Sequence, residues 1–550
     1  MKNEPCKQLT RVAYFCMEYA LQSSMKTFAG GLGILAGDYM KAAKDSSCSV
    51  IGIGILWKQG YGGQAVDSTG RVHDKYCNYK YDFLQDTGVK VTVDIKDKEV
   101  TCKVWKVDCF GNSPVYLLDT DIPENDNANV KLRWVTSKLY GGVEEERLAQ
   151  EIVLGVGGVR ALRKLGIETD VYHFNEGHAA FAGFELIREK MAGGLDFEEA
   201  LERTREQIVF TTHTPVKEGN EKHPINALVY MGANLGLSGQ QLERIGGSPF
   251  NMTVAGLRLC KAANAVSRLH AVTANKMWEN IEDRPYIIPI TNGIHRPTWV
   301  DMRLHRHIAD GETIWKHHQE NKKKLLSFVH KRTGHKLLEE SITIGFARRA
   351  VDYKRPDLFM RNIEDFEALV KKWNVQIIFS GKAHPLDDSG KRVLENLIAL
   401  SKKYPQNVVF IKNYDMEIAQ RLVQGCDVWL NSPRRPNEAC GTSGMKAAMN
   451  GVLNLSVLDG WWPESCIDGV NGWQFGDGFE STDAGIVDEW DRKKLIEVFD
   501  NHVAPTYYED RQRWIEMMRS SINTTWDAFD IKRMINEYYE KMYTPSEKNR

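Results

Sequence analysis

Residues 342–355 read Ile-Thr-Ile-Gly-Phe-Ala-Arg-Arg-Ala-Val-Asp-Tyr-Lys-Arg, an apolar run that stops at a cluster of cations. An unbroken run such as Ile342–Ala347 predicts a strand buried on both faces, the mark of a parallel sheet. Similar runs follow at Val375–Ser380, Val408–Lys412, Val428–Asn431 and Leu453–Leu458, with helical stretches between them. That alternation predicts a doubly wound α/β sheet with right-handed crossovers. Arg348, Arg349, Lys354 and Arg355 then fall at the carboxyl end of the first strand, where such sheets bind ligands. Four cations in eight residues suit a multiply charged phosphate.

The first half of the chain repeats the alternation less cleanly. Val12–Met17, Val50–Trp57, Val171–Asn175, Ile208–Thr211, Ala271–Thr273 and Ile287–Ile290 read as short buried strands, and Ile34–Lys44 and Glu144–Leu165 as helices. Residues 89–118 alternate with period two and predict an antiparallel insert. The architecture expected is two Rossmann-like doubly wound domains facing a cleft. Residues 1–297 form the first, and residues 298–525, opening with a connector at Asp301–Lys336, form the second. An amphipathic helix at Trp526–Tyr543, within residues 526–550, is expected to pack back on the first.

Composition narrows the function. The chain has 550 residues, 42% of them hydrophobic, and 72 Lys plus Arg against 73 Asp plus Glu, a formal charge of −1. Near neutrality argues against a nucleic-acid or membrane-surface partner, and the basic Lys322–Lys324 stretch lacks the aromatic platform of an RNA binder. Ten cysteines in no C-x-x-C spacing exclude a zinc-ribbon or thioredoxin motif and predict reduced thiols. No apolar run approaches the ~18–20 residues of a membrane span, and no signal peptide opens the chain, so a cytoplasmic location is expected.

Two further motifs carry chemistry. Gly30-Gly31-Leu32-Gly33 leads into a helix starting near Ile34, where small residues and unpaired N–H groups favour an anion. Glu438-Ala439-Cys440-Gly441-Thr442-Ser443-Gly444-Met445-Lys446 reads as a loop with N-cap hydroxyls on Thr442 and Ser443 and a helix from near Met445. Lys446, in the first turn of that helix, is expected to have its pKa lowered by the helix dipole. His213, Asn292 and the segment His173–His178 end strands, where polar side chains reach a cleft. The five-residue spacing of His173 and His178 does not suit two metal ligands on one helix face, and His173 reads as structural. Glu176 and Glu438 are the available carboxylates, in different domains. Trp461 and Trp462 suit either sugar stacking or core packing.

In this order GGLG, NEGH, the His-Thr at 213–214, TNGI, RRAVDYKR and EACGTSGMK resemble the α-glucan phosphorylases, that is glycogen, starch and maltodextrin phosphorylases, from about residue 11 to at least 470. The resemblance implies the glycosyltransferase B arrangement and pyridoxal 5′-phosphate held covalently by Lys446. It implies that Arg349 and Lys354 hold substrate phosphate and that Arg348, where the family more often has Lys, lies near the cofactor phosphate. Gly30 and Gly31 would support the phosphates, Thr442 would contact the cofactor, and Tyr353 and Tyr414 would line its pocket. Asn292, His213, Glu438, Gly441, Leu32 and Cys440 would form the glucosyl subsite, with Cys440 in place of the usual Ser. The reaction implied is retaining phosphorolysis of terminal α-1,4-glucosyl units by orthophosphate to α-glucose 1-phosphate. In it the cofactor phosphate acts as proton shuttle, which dispenses with a carboxylate pair. A short form without an N-terminal regulatory arm is expected, and a homo-oligomer is left open. The alternative is a retaining nucleotide-sugar glycosyltransferase of the glycogen or starch synthase type. Such enzymes often carry two glutamates eight positions apart, whereas here Glu438 is followed by Lys446.

Overall fold

The strands of the second half assemble in the order Val408–Ile411, Gln376–Ser380, Thr343–Ala347, Val428–Asn431, Leu453–Val457, Gly472–Phe475, all parallel, in the computed structural model. It describes residues 10–126, 130–216 and 219–544. Cys6 and residues 545–550 of the expected C-terminal segment lie outside the described residues. In chain order this sheet runs 3-2-1-4-5-6, so the winding reverses between Thr343–Ala347 and Val428–Asn431. The reversal opens a crevice at the carboxyl ends of those two strands. Alternate residues feed different cores: Ile377 and Phe379 pack on one face, Ile378 and Val409 on the other. The edge strand Gly472–Phe475 is not evident in the sequence, because Gly472 and Gln474 interrupt its apolar run.

The first half forms a nine-stranded sheet in the order Ile287–Pro289, Ala262–Ala265, Ile208–Thr212, Val171–Asn175, Val12–Phe15, Val50–Ile55, Val115–Asp119, Lys98–Val107, Gln85–Ile95. Its direction of winding reverses between Val12–Phe15 and Val171–Asn175, which places a second crevice there. Residues 89–118 pair antiparallel within this sheet, Gln85–Ile95 with Lys98–Val107 and that strand with Val115–Asp119. Val115–Asp119 pairs parallel with Val50–Ile55, and the two antiparallel strands simply extend that edge. Ala271–Thr273 is helical, not a strand: Ser267 caps the helix Arg268–Met277 by accepting the His270 N–H at 3.1 Å. The strand is the inconspicuous Ala262–Ala265, which carries Asn264 in its middle.

Glu144–Leu165 is one helical course, Glu144–Ile152 and Gly158–Lys164 joined through a wider turn at Val153–Gly157. Helix Arg511–Trp526 ends at the expected start of the C-terminal segment, and a new helix, Ile531–Tyr538, begins after Asp530 accepts the Lys532 N–H. Ile531, Met534 and Ile535 pack with Leu35, Ala36 and Tyr39 of the first half. A hydrogen-bond chain ties them further: Thr211 Oγ1 donates to Asn264 Oδ1 (2.6 Å), leaving its oxygen to accept from His173 Nε2 (2.7 Å). His173 Nδ1 then accepts from the Tyr543 hydroxyl (2.6 Å), which in turn accepts from Tyr39 (2.7 Å). Burial pushes the His173 pKa down to about 3, so this is a neutral structural histidine.

No disulfide joins the described cysteines. No described helix is long and apolar enough to cross a membrane.

Candidate active site

Both crevices open into one cavity of about 1000 Å³, walled by segments of both halves. Contacts on its rim join the halves. Ser267 Oγ donates to the Ala439 carbonyl at 2.7 Å, Thr291 Oγ1 to Glu464 at 2.8 Å, and the Gln64 N–H to Asn413 Oδ1 at 2.8 Å.

The first wall is the helix Gly31–Asp45. Gly31 already belongs to its first turn, so the glycines are the start of the helix itself rather than a turn before Ile34. This end has no side-chain cap and no acidic residue in its first turn, so its positive dipole is left to the cavity. Glu18, buried, accepts the N–H groups of Ala29 (2.7 Å) and Gly30 (3.1 Å) and the Tyr140 hydroxyl (2.6 Å), fixing the approach to the helix. The glycines divide their labour. A Cβ on Gly33 would sit 2.6 Å from Phe28 Cβ and 2.7 Å from Glu18 Cβ, whereas a Cβ on Gly30 or Gly31 would meet nothing within 4 Å. Gly33 serves packing, and Gly30 and Gly31, with Leu32, border open space in the cavity.

The second wall is the cation segment. Arg348 Nη1 and Lys354 Nζ both donate to Glu438 Oε2, at 2.7 and 2.6 Å. Burial drives the Glu438 carboxyl up, but the two cations outweigh it and hold it at about 2. Arg349 is exposed to the cavity and makes no hydrogen bond or ion pair among the described residues. Lys354 also lies 4.7 Å from the Tyr353 ring centroid, and Tyr353 and Tyr414 line the same cavity. Asp459, at the carboxyl end of Leu453–Val457, accepts the N–H groups of Glu438 (2.9 Å) and Gly460 (2.8 Å), and burial beside Glu438 raises it to about 7.

The third wall is the loop Glu438–Gly441 and the helix Thr442–Met449. The helix starts at Thr442, three residues earlier than expected. Gly441 precedes it with φ +87°, a left-handed turn that a side chain would strain, and neither hydroxyl caps it. Lys446 is therefore in the second turn, and the dipole is not what lowers its pKa. Burial does, bringing it to about 8 against the partial opposition of Asp38 and Cys440. Its ammonium lies 3.9 Å from the Trp299 ring centroid and has no hydrogen-bond or ion-pair partner among the described residues. Trp299 is itself held by Asp38, which accepts its indole N–H at 2.8 Å.

The remaining wall holds His213 and Asn292. His213 Nε2 donates to Asn175 Oδ1 at 2.5 Å, while the Asn175 amide faces Cys16 Sγ. Burial, with His270 and His178 nearby, lowers the His213 pKa to about 3, so its imidazole is neutral. Glu176 accepts the His213 N–H (2.8 Å), Thr214 Oγ1 (3.0 Å) and Gly177 N–H (3.2 Å), so this carboxylate holds the backbone behind the cavity. Asn292 Oδ1 is buried with no partner, an acceptor left for a ligand.

The structure thus brings Gly30, Gly31, Leu32, His213, Asn292, Arg348 and Arg349 to one cavity, together with Tyr353, Lys354, Tyr414 and the Glu438–Lys446 residues named above. It leaves out Trp461 and Trp462, each 1% exposed; Trp461 packs edge-on against Phe529. Glu18 and Trp299 have no local sequence signal; Asn175 and Asp459 have only their places at strand ends, Asn175 also opening the NEGH motif.

Comparison with known proteins identifies the family. A family model described as carbohydrate phosphorylase fits residues 302–464. A maltodextrin phosphorylase of Thermococcus litoralis is 38% identical over 97% of this chain and 70% of its own length. The chain belongs to the carbohydrate phosphorylase family. A glycogen phosphorylase of Mycobacterium tuberculosis is 36% identical over 98% of the chain and 71% of its own length. An uncharacterised protein of Methanocaldococcus jannaschii is 37% identical over 96% of the chain and 99% of its own length.

Proposed function

We propose that the chain is an α-1,4-glucan phosphorylase of glycosyltransferase B architecture. It would convert terminal glucosyl units of an α-glucan or maltodextrin and orthophosphate to α-glucose 1-phosphate, with pyridoxal 5′-phosphate on Lys446. The observation that carries this reading is Lys446: a buried amine without hydrogen-bond or ion-pair partner among the described residues, at the wall of a cavity where cations gather. Its lowered pKa leaves an appreciable unprotonated fraction at neutral pH, the form that attacks an aldehyde. The surroundings fit the group. Trp299 offers an aromatic face, Gly30 and Gly31 leave room beside an uncapped helix start, and Thr442 and Arg348 stand on the opposite walls.

Bound there, pyridoxal phosphate would supply a phosphate group able to give and take back a proton. The chain's own residues do the rest. Arg349, unpaired, binds the substrate phosphate, while Glu438 keeps Arg348 and Lys354 gathered against their mutual repulsion. The two helix starts add partial positive charge without a counterion. Asn292 Oδ1 accepts a sugar hydroxyl, and neutral His213, fixed by Asn175 and Glu176, borders the same subsite. Orthophosphate held by Arg349 protonates the leaving glycosidic oxygen and attacks the anomeric carbon from the same face, retaining the α configuration.

The test is an assay of glucose 1-phosphate release from maltoheptaose with orthophosphate, after loading with pyridoxal phosphate. Release is expected, with Arg349→Ala at least 100-fold slower. A loaded enzyme that releases only glucose, or that transfers glucose from a nucleotide sugar instead, would contradict the proposal.

A further inference from the structure

Behind the wall that carries His213, three side chains from separate segments converge on a common point and a fourth, His223, flanks two of them. They are Glu151 of the helix Glu144–Ile152, His178 of the turn Gly177–Ala179, and Glu221 and His223 of the segment leading away from His213. Ligand atoms of Glu151, His178 and Glu221 lie within 4.8 Å of one another. His223 Nε2 is 3.8 Å from Glu151 Oε2 and 3.8 Å from Glu221 Oε1.

Several polar atoms facing this point meet no hydrogen-bond partner among the described residues. Glu151 is 0% exposed, yet neither of its carboxylate oxygens meets an N–H or hydroxyl donor among the described residues; its neighbour is the Glu221 carboxyl. His178 Nδ1 and His223 Nε2 are likewise buried and unpartnered. Buried polar groups without partners are destabilising unless something occupies the space between them. Arg147 does not fill the role: its Nε and Nη2 are spent on the two oxygens of Glu221, at 3.0 and 2.7 Å. On the far side of His223, Glu144 Oε1 stands 3.2 Å from Nδ1. The carboxylate accepts from Nδ1 and leaves Nε2 facing the cluster, the outer-shell arrangement typical of a metal-ligating histidine.

We propose that Glu151, His178, Glu221 and His223 bind one first-row divalent metal ion of the zinc type. Two imidazoles with two carboxylates suit such an ion better than calcium or magnesium, which favour all-oxygen sets. Charge also balances: Glu144, Glu151 and Glu221 against Arg147 leave two negative charges, which a divalent ion cancels. Ligands about 2.0–2.2 Å from a tetrahedral ion stand about 3.4 Å apart, so Glu151, His178 and Glu221, within 4.8 Å of one another, and His223 Nε2, 3.8 Å from the two carboxylates, would draw together on binding. Glu221 and Glu144 are partly exposed and provide access from solvent.

The site would pin three segments that shape the catalytic wall. His178 follows Glu176, the carboxylate that holds the His213 and Thr214 backbone. The Tyr140 ring, 5.6 Å from His178, donates through its hydroxyl to Glu18, the clamp on Gly30. No single sequence motif announces the site, because its ligands come from residues 151, 178, 221 and 223. It does not depend on what the cavity catalyses.

The test uses the full chain stripped with chelator, titrated with zinc chloride and passed through gel filtration, with metal measured by mass spectrometry. One zinc per chain is expected to remain and to raise Tm. Cobalt in its place should give the visible absorption of a low-coordinate nitrogen–oxygen site. Glu151→Gln should lose at least 100-fold in zinc affinity. Glu144→Gln, on the partly exposed outer ligand, should lose about 10–100-fold while folding normally. A wild-type chain that leaves the column free of zinc would overturn the proposal, since a proton shared by Glu151 and Glu221 would then satisfy the cluster. Unchanged affinity in Glu144→Gln together with an octahedral cobalt spectrum would overturn it as well.

Discussion

Glu438 is the residue on which the cavity's electrostatics turn. A single carboxylate oxygen receives both Arg348 and Lys354, each about one-tenth exposed. Removing it leaves two cations facing each other in a poorly solvated wall, and breaking a buried pair in this way costs about 3–5 kcal/mol. Glu438→Gln is therefore expected to lower stability by that order and phosphorolysis by at least 100-fold, read by thermal unfolding and the glucose 1-phosphate assay. The pH dependence has a definite sign. The folded carboxyl sits at about 2, below its unfolded value, so its stabilisation is complete above pH ~4.3 and lost as pH falls toward 2. Acid unfolding of Glu438→Gln should be flatter than wild type across that window, and an equally steep loss would remove Glu438 from the account. Glu438 itself was legible in the sequence as a carboxylate in a glycine-bearing loop. Its partners were not, because the pairing joins positions about ninety residues apart. Lys446 was legible too, but for the wrong reason: the helix starts early enough to carry it away from the dipole, and burial lowers its pKa instead.

At the scale of the element, the helix Gly31–Asp45 separates two kinds of glycine. Gly30→Ala adds a Cβ into open space at an extended φ of −160°, so Tm should hardly change while the apparent KM for orthophosphate or pyridoxal phosphate rises. Gly33→Ala instead drives a Cβ against Phe28 and Glu18, and overpacking of this kind costs about 1–3 kcal/mol. Equal Tm losses in the two variants would contradict the division. The parallel strands were legible wherever apolar residues run unbroken, as at Thr343–Ala347. They were not legible where a polar or glycine residue sits in a fully covered strand, as Asn264 and Gly472 do. There tertiary burial overrides the local pattern, just as Ser267 starts a helix where Ala271–Thr273 looks extended.

Across the whole molecule, the chain crosses from the second sheet back to the first through Ile531–Tyr538, and the cavity depends on that return. The Ile294 N–H donates to the Phe529 carbonyl at 2.9 Å, and the Ile531 N–H to the Ile294 carbonyl at 3.1 Å, so the return segment sits directly behind Asn292. Ile535→Ala should cost about 2–4 kcal/mol by leaving a cavity against Leu35 and Tyr39. Because the segment braces one wall, hydrogen exchange should rise at residues 290–296 as well as in the helix. A loss confined to the helix would mean that it only covers the sheet. The sequence indicated the amphipathic segment, but its break at Asp527–Asp530 is visible only once Asp530 is seen capping the next helix. The central claim, that this cavity is built around a cofactor on Lys446, has a direct test. The intact protein is incubated with pyridoxal phosphate, reduced with borohydride, digested and mapped by mass spectrometry. The account predicts one pyridoxyl-phosphate adduct per chain, on the peptide containing Lys446. An adduct scattered over surface lysines, with Lys446 unmodified, would contradict it.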